Sequence, residues 1–393
     1  MDFTNLSLYQ PRMEYRRFGK TEKMLSVITL GGMRFTKASE GARHDIPKET
    51  LEQVIDTVQQ AFAQGINHIE TAWGYNKSET AYGKALNQEL GVPRESYFLM
   101  TKGSPKTAVD ARSLVERQLN DLQTDYLDFY AWHGLNTAEM LENISVSGGA
   151  LDELHKMKEE GIIKHLGFST HAQLPVILKT IETNRFEFVN LHYYYTFQRN
   201  FPAIELAASK DMGVFIISPN DKGGQLFNPS EKLKKLTMPF SPLQWNARFC
   251  LGNPAIHTLT FGLPVTASFS DINGIFPAPA PMAPVDIEIL NRLEAEKRKV
   301  PYADFDGYLM ENDPSGINIP ETLRFRTLLK AFDMVDFGKY RYNMLRENDN
   351  WYGGAFPTKE RLRKVDLSHC PPEIPLLEMI QETHRALYRK QEK

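Results

Sequence analysis

Cysteine is scarce in this chain: only Cys250 and Cys370 occur in 393 residues. Two thiols so far apart cannot build a disulfide framework or a four-thiolate metal site within one chain, so a reducing compartment is expected. Long apolar runs are missing as well, and none approaches the roughly 20 residues needed to cross a bilayer. The opening Met1-Asp-Phe-Thr-Asn-Leu-Ser7 lacks the basic-then-apolar order of a signal peptide. Together these absences predict a cytoplasmic protein with no membrane partner. An excess of one charge sign is also absent, since 46 Lys plus Arg face 49 Asp plus Glu for a net −3. That balance gives no electrostatic case for nucleic acid or an anionic surface. Basic runs such as Glu231-Lys-Leu-Lys-Lys235 read as solvated helix faces.

What the sequence does contain is rhythm. Short apolar runs at Ser26–Leu30, His68–Thr71, Tyr97–Thr101, Tyr126–Trp132, His165–Ser169, Phe188–His192, Gly213–Ser218 and Thr258–Phe261 predict strands. Amphipathic stretches between them predict helices at Lys48–Gln64, Glu79–Leu90, Asp110–Leu122, Ala150–Glu160, Leu174–Thr183, Pro202–Lys210 and Pro242–Leu251. Gly161 suits a helix C-cap. Eight strands each followed by a helix predict an α/β fold, the (β/α)8 TIM barrel. An open doubly wound sheet would carry Gly-x-Gly-x-x-Gly in its first turn, whereas this first strand ends Leu30-Gly31-Gly32-Met33-Arg34. Tyr15–Ile28 reads as a hairpin ahead of the barrel. A Pro-rich connector at 277–284 leads to a last barrel helix at Val285–Lys299. Residues 300–393 hold helical stretches at Glu321–Asp336 and Pro375–Arg389 without a strand rhythm. The predicted division is a barrel at 13–299 and a small helical C-terminal domain at 300–393.

Parallel barrels place chemistry at the C-terminal ends of their strands. The second predicted strand ends in Glu70, with Tyr75 five residues on; the third ends in Lys102 and the fourth in His133. A phenol is a weak acid at neutral pH until a neighbouring cation favours its ionised form. That cation in turn needs an anion to hold it. Tyr75 flanked by a lysine and a carboxylate meets this requirement for protonating a carbonyl oxygen during hydride transfer. A lysine at the end of a buried strand is costly unless paired.

The segment Glu70-Thr-Ala-Trp-Gly-Tyr-Asn-Lys-Ser-Glu79 resembles the Asp-Thr-Ala-x-x-Tyr-Gly-x-Ser-Glu of the aldo-keto reductases, with Glu70 for Asp and Asn76 for Gly. Ser113–Asp128 and Gly161–Ser169 resemble two further passages of that family, and the likeness covers roughly residues 13–275. It implies Tyr75 as proton donor, Lys102 as the group lowering its pKa, His133 as carbonyl orienter or proton relay, and Glu70 as partner of Lys102. It further implies NADP or NAD, with NADP ahead, laid across the barrel mouth. The implied cofactor residues are Gly31, Gly32, Met33, Ser169, Thr170, Asn190, Ser218, Pro219, Lys222, Gly224 and Gly262. Ile217 stands where the family often has an aromatic platform. The substrate implied is a small or sugar-like carbonyl compound.

Asp313-Pro-Ser-Gly-Ile-Asn-Ile-Pro320 and Cys370-Pro-Pro-Glu-Ile-Pro375 resemble the ends of cluster motifs in a branch of that family with a ferredoxin-like tail. A [4Fe–4S] cluster needs four thiolates, so none is expected here. The resemblance implies a degenerate module packed through Tyr302, Phe305, Tyr308 and Met310, with room for a protein partner. Two other readings stay open. One is a weakened barrel that senses cofactor or binds a partner; the other is non-redox chemistry with Glu70 as general base.

Overall fold

A computed structural model describes residues 13–37 and 40–389; the opening heptapeptide weighed above and the last four residues lie outside them. Strands β1 (Tyr15–Arg17) and β2 (Met24–Ser26) pair antiparallel as the expected hairpin. Eight parallel strands then close into a barrel: β3 (Ile28–Gly31), β4 (His68–Glu70), β5 (Phe98–Gly103), β6 (Leu127–His133), β7 (Ile163–Ser169), β8 (Phe188–Leu191), β9 (Gly213–Ile216) and β10 (Thr258–Phe261). Each pairs with its sequence neighbours, and β10 closes on β3. The hairpin seals the lower end, where Phe18 meets Phe129 edge-on at 5.4 Å inside a core that also holds Met100, Phe188 and Phe215.

The helical spacing read from the sequence is what buries one stripe of each outer helix. Lys48–Ala63 turns Val54, Val58 and Ala61 onto the strands. Pro242–Leu251 begins with a capping box in which the Ser241 hydroxyl accepts from the Gln244 backbone and the Gln244 side chain accepts from Ser241 N–H. Gly161 follows its helix at φ +81°, the left-handed C-cap geometry that glycine supplies without a Cβ clash. The helix expected at Glu79–Leu90 is instead Ser78–Gly83 followed by a π turn at Lys84–Glu89. Asn87 Nδ2 marks the insertion, donating to Gly83 O at 3.0 Å and Leu122 O at 3.1 Å. Short helices at Ala138–Ile144, Glu231–Thr237 and Phe269–Asn273 are additions, too brief to leave a clear period in the sequence.

The C-terminal region departs from the ferredoxin-like expectation, which the structure overturns. Among the described residues beyond 300 there are helices at Ile319–Phe332, Val335–Tyr342, Lys359–Leu362 and Leu376–Leu387, with only isolated bridges and no strand. The physical reason lies in the periodicity: Met379, Ile380, Thr383 and Leu387 bury one helical stripe, where a sheet would need alternation. The predicted helix through Asp336 breaks at Asp333, which takes φ +54°. Met310 and Phe305 join a small core with Ile317, Ile319, Leu323 and Leu376, but Tyr302 and Tyr308 stay largely exposed.

This helical extension is tied to the barrel's upper rim. Glu321 receives Arg199 at 2.7 Å and Arg324 at 2.8 Å, and Tyr352 donates to it at 3.0 Å. Burial alone would raise the Glu321 carboxyl, but Arg324 and Arg199 hold it down to about 2. No helix among the described residues is long and apolar enough to cross a membrane.

Candidate active site

The upper ends of β4, β5 and β6 bring together the four side chains singled out by spacing. In register, Glu70 lies opposite Met100 and Lys102 opposite Ala131, which staggers the carboxylate, ammonium and imidazole around one rim. Lys102 is 1% exposed and forms an ion pair with Glu70 Oε1, itself on a side chain 4% exposed. Lys102 Nζ also donates to Thr71 O at 2.7 Å. Thr260 on β10 donates to the other Glu70 oxygen at 3.3 Å. Both ions of this buried pair therefore have hydrogen bonds beyond each other, as desolvated charges require.

Tyr75 sits on the short 3₁₀ turn Trp73–Tyr75 that follows β4. Its hydroxyl donates to Glu70 Oε1 over a long 3.4 Å, and Lys102 Nζ lies 4.8 Å from its ring centroid. The ring meets the His133 imidazole edge-on at 5.7 Å. Burial pushes the Tyr75 phenol above its ordinary range, with the Arg34 charge pulling the other way. Burial, then the charges of Lys102 and Lys222, pull His133 down to about 3, so its ring is neutral at physiological pH. Burial alone would draw the Lys102 ammonium below its usual value, and the Glu70 carboxylate against it favours the charged form.

These groups open into a cavity of about 630 Å³ at the barrel mouth. Of the residues expected at a cofactor, Gly31, Met33, Ser169, Ser218, Lys222 and Gly262 line it, as does Ile217. The others lie behind the wall. Thr170 spends its hydroxyl on Leu135 O at 2.8 Å. Asn190 points into the barrel and donates to Met100 Sδ at 3.3 Å, and its Oδ1 has no partner among the described residues. Pro219 O accepts from Asn246, Gly224 packs against Met334, and a Cβ on Gly32 would meet Ser78 Oγ at 2.3 Å. Arg248, a cation on the helix ahead of β10, is committed to Asp286 through two bonds of 2.7 Å.

Sequence reasoning missed several lining residues. Arg34 reaches across the mouth to Asp221 at 2.8 Å, joining the loops after β3 and β9. Trp351, from the C-terminal extension, packs edge-on to His133 at 5.3 Å and roofs the site with Tyr340, Arg341, Met344 and Tyr352. Its only sequence signal was a tryptophan in an Asp-Asn-Trp-Tyr-Gly-Gly loop, one of four in the chain.

Comparison with known proteins agrees with the fold. The Aldo/keto reductase family pattern matches residues 27–233. D-arabinose 1-dehydrogenase of Saccharomyces cerevisiae is 32% identical over 153 residues, covering 37% of this chain and 43% of that one. L-galactose dehydrogenase of Arabidopsis thaliana is 27% identical over 166 residues, covering 40% and 49%. The matched stretch thus spans under half the length of either relative. A solved aldo-keto reductase from Bacillus halodurans, in its holo form, superposes with a TM-score of 0.58 at 19% identity, covering 72% of this chain and 96% of that one. An aldo/keto reductase from Brucella melitensis gives 0.53 at 18% identity, covering 71% and 99%; at such identities these two speak to the fold alone. Since the family match takes in more than half of the 393 residues, together with β4, Tyr75, Lys102 and His133, this chain belongs to the aldo/keto reductase family.

Proposed function

We propose that this protein is an NAD(P)H-dependent oxidoreductase that interconverts a small or sugar-like carbonyl compound and its alcohol. The reading includes a catalytic barrel at residues 13–299 and a helical extension at 300–393 that roofs it. The observation that carries it is the Glu70–Lys102 pair beneath Tyr75, with His133 at its edge, all facing one cavity.

The cavity's volume and lining suit a nicotinamide dinucleotide: about 630 Å³ falls in the range of small-molecule sites. Ser169 offers a hydroxyl, and among the described residues Asn220 has a buried Oδ1 without a partner; Arg34, paired with Asp221, adds a guanidinium at the rim. A reduced nicotinamide would supply the hydride for the carbonyl carbon. Tyr75 Oη then gives its proton to the carbonyl oxygen, and the neutral His133 ring can donate a hydrogen bond to the same oxygen. Lys102, held by Glu70, supplies the positive charge that eases loss of the phenolic proton. Titration followed by nicotinamide fluorescence tests the reading: NADPH, and more weakly NADH, should bind saturably. Binding of neither would sink it.

Glu70 in place of the family's Asp gives the site a direction. The extra methylene brings a carboxylate oxygen to the Tyr75 hydroxyl, and a nearby anion keeps a phenol protonated. A protonated Tyr75 serves as the acid of reduction and fails as the base of oxidation. Glu70→Asp should retract that anion and move the alkaline limb of the reduction profile down by on the order of one pH unit. Oxidation at pH 8 to 9 should rise in parallel. An unchanged alkaline limb would show that Glu70 does not set the protonation of Tyr75.

A further inference from the structure

A second cavity of about 690 Å³ lies between the barrel rim and the helical extension. It shares His171, Lys222, Arg341, Asp349, Trp351 and Tyr352 with the cavity at Tyr75, so the two form one two-lobed cleft. Trp351 links them, packing against His133 at 5.3 Å and against His171 at 4.8 Å.

Two basic side chains at the junction form no ion pair among the described residues. Arg341 is 7% exposed, yet among the described residues its guanidinium meets no oxygen acceptor. It stacks over the Tyr352 ring at 3.9 Å, touches Met344 Sδ at 3.6 Å, and its Nε has no partner. Among the described residues Lys222 Nζ contacts only His171 Nε2, at 3.3 Å, while the adjacent Asp221 is taken by Arg34. Of the carboxylates lining the cleft, Glu321 is taken by Arg199 and Arg324, while Asp349 accepts the Trp351 backbone N–H at 2.8 Å and, among the described residues, pairs with neither basic group. Burial and then Arg341 pull Lys222 down to about 7, and burial leaves His171 and His192 neutral. A buried guanidinium with no carboxylate in contact is expensive, and a bound oxyanion would relieve that cost. Guanidinium is also the side chain best shaped to take a carboxylate or phosphate in two parallel hydrogen bonds.

We propose that Arg341 and Lys222, at the junction of the two lobes, bind an anionic group, so that the carbonyl substrate of the Tyr75 site carries a carboxylate or phosphate. The substrate class rests on the oxidoreductase reading; the oxyanion site does not. Matched pairs test it: 4-carboxybenzaldehyde against benzaldehyde, and 6-oxohexanoate against hexanal, each with NADPH. The wild type should prefer the acids. Arg341→Met should cost the acids about 10- to 100-fold in kcat/KM, mostly through KM, while the neutral aldehydes and the NADPH Kd stay unchanged. Arg341→Lys should restore part of the loss. Equal losses on both members of each pair, with lower stability, would make Arg341 a structural residue and overturn the proposal. Weakened NADPH binding would assign the cations to a cofactor phosphate and also overturn it. Should no aldehyde turn over, calorimetric titration with benzoate decides: binding abolished by Arg341→Met supports the anion site, and no binding to the wild type refutes it.

Discussion

Tyr75→Phe should lower kcat for carbonyl reduction by roughly 10²- to 10⁴-fold, the usual worth of a positioned general acid. The substitution removes one oxygen and keeps the ring. Its edge contact with His133 at 5.7 Å and its place beside the Lys102 ammonium at 4.8 Å should therefore persist. Folding and NADPH affinity should stay as in the parent, because no part of the cofactor reading uses the phenolic oxygen. The lost hydroxyl donates only to Glu70, which keeps Lys102 and Thr260 as partners. Single-turnover loss of nicotinamide absorbance, read beside equilibrium titration, separates the effects. A variant that turns over at the parental rate would remove Tyr75 from the role of proton donor.

Lys102→Met should destabilise the protein by about 3–5 kcal/mol, since removing one member of a buried pair strands the other charge. Glu70 is 3% exposed, and without Lys102 only Thr260 and the distant Tyr75 hydroxyl remain to solvate its carboxylate. Linkage sharpens the expectation. A stranded Glu70 should take up a proton in the folded state, so the deficit should be largest at neutral pH and shrink as pH falls towards the carboxylate range. Adding Glu70→Gln should recover much of the loss, because the double variant no longer buries an unmatched charge. Chemical denaturation of the four proteins in this cycle measures the coupling. Independent, additive losses would show that the two side chains do not act as a pair. Activity should vanish in either single variant whether or not the fold survives, so stability carries the test.

The barrel was legible because its signals are local. Each strand is a short apolar run, each following helix repeats at helical spacing, and the order alternates without interruption from β3 to β10. The four chemical residues were legible for a related reason: a side chain at the end of a named strand has a known place on the rim. What stayed hidden depends on contacts between distant segments. Nothing local marks Trp351 as the roof over His133, or Arg341 as a cation facing Lys222, since both come from an extension whose packing on the rim is set by Glu321, Arg199 and Arg324. The motif-like ends at Pro320 and Pro375 suggested a module that the helices do not form. The direction of the Asn190 side chain, into the barrel against Met100, was equally invisible, because the register places it on the inward face without saying what lies above. In the sequence Glu70 is a departure from the family's Asp. The structure gives it a second contact, to the acid itself.

On the proposed function, a nicotinamide hydride and the Tyr75 proton meet at one carbonyl in this cleft. The most direct measurement follows deuterium from C4-labelled NADPH into the alcohol formed from 4-carboxybenzaldehyde or benzaldehyde. One deuterium should appear on the carbinol carbon, from one face of the nicotinamide, with turnover nearly lost in Tyr75→Phe. Alcohol without label, or label transferred equally well by that variant, would contradict it.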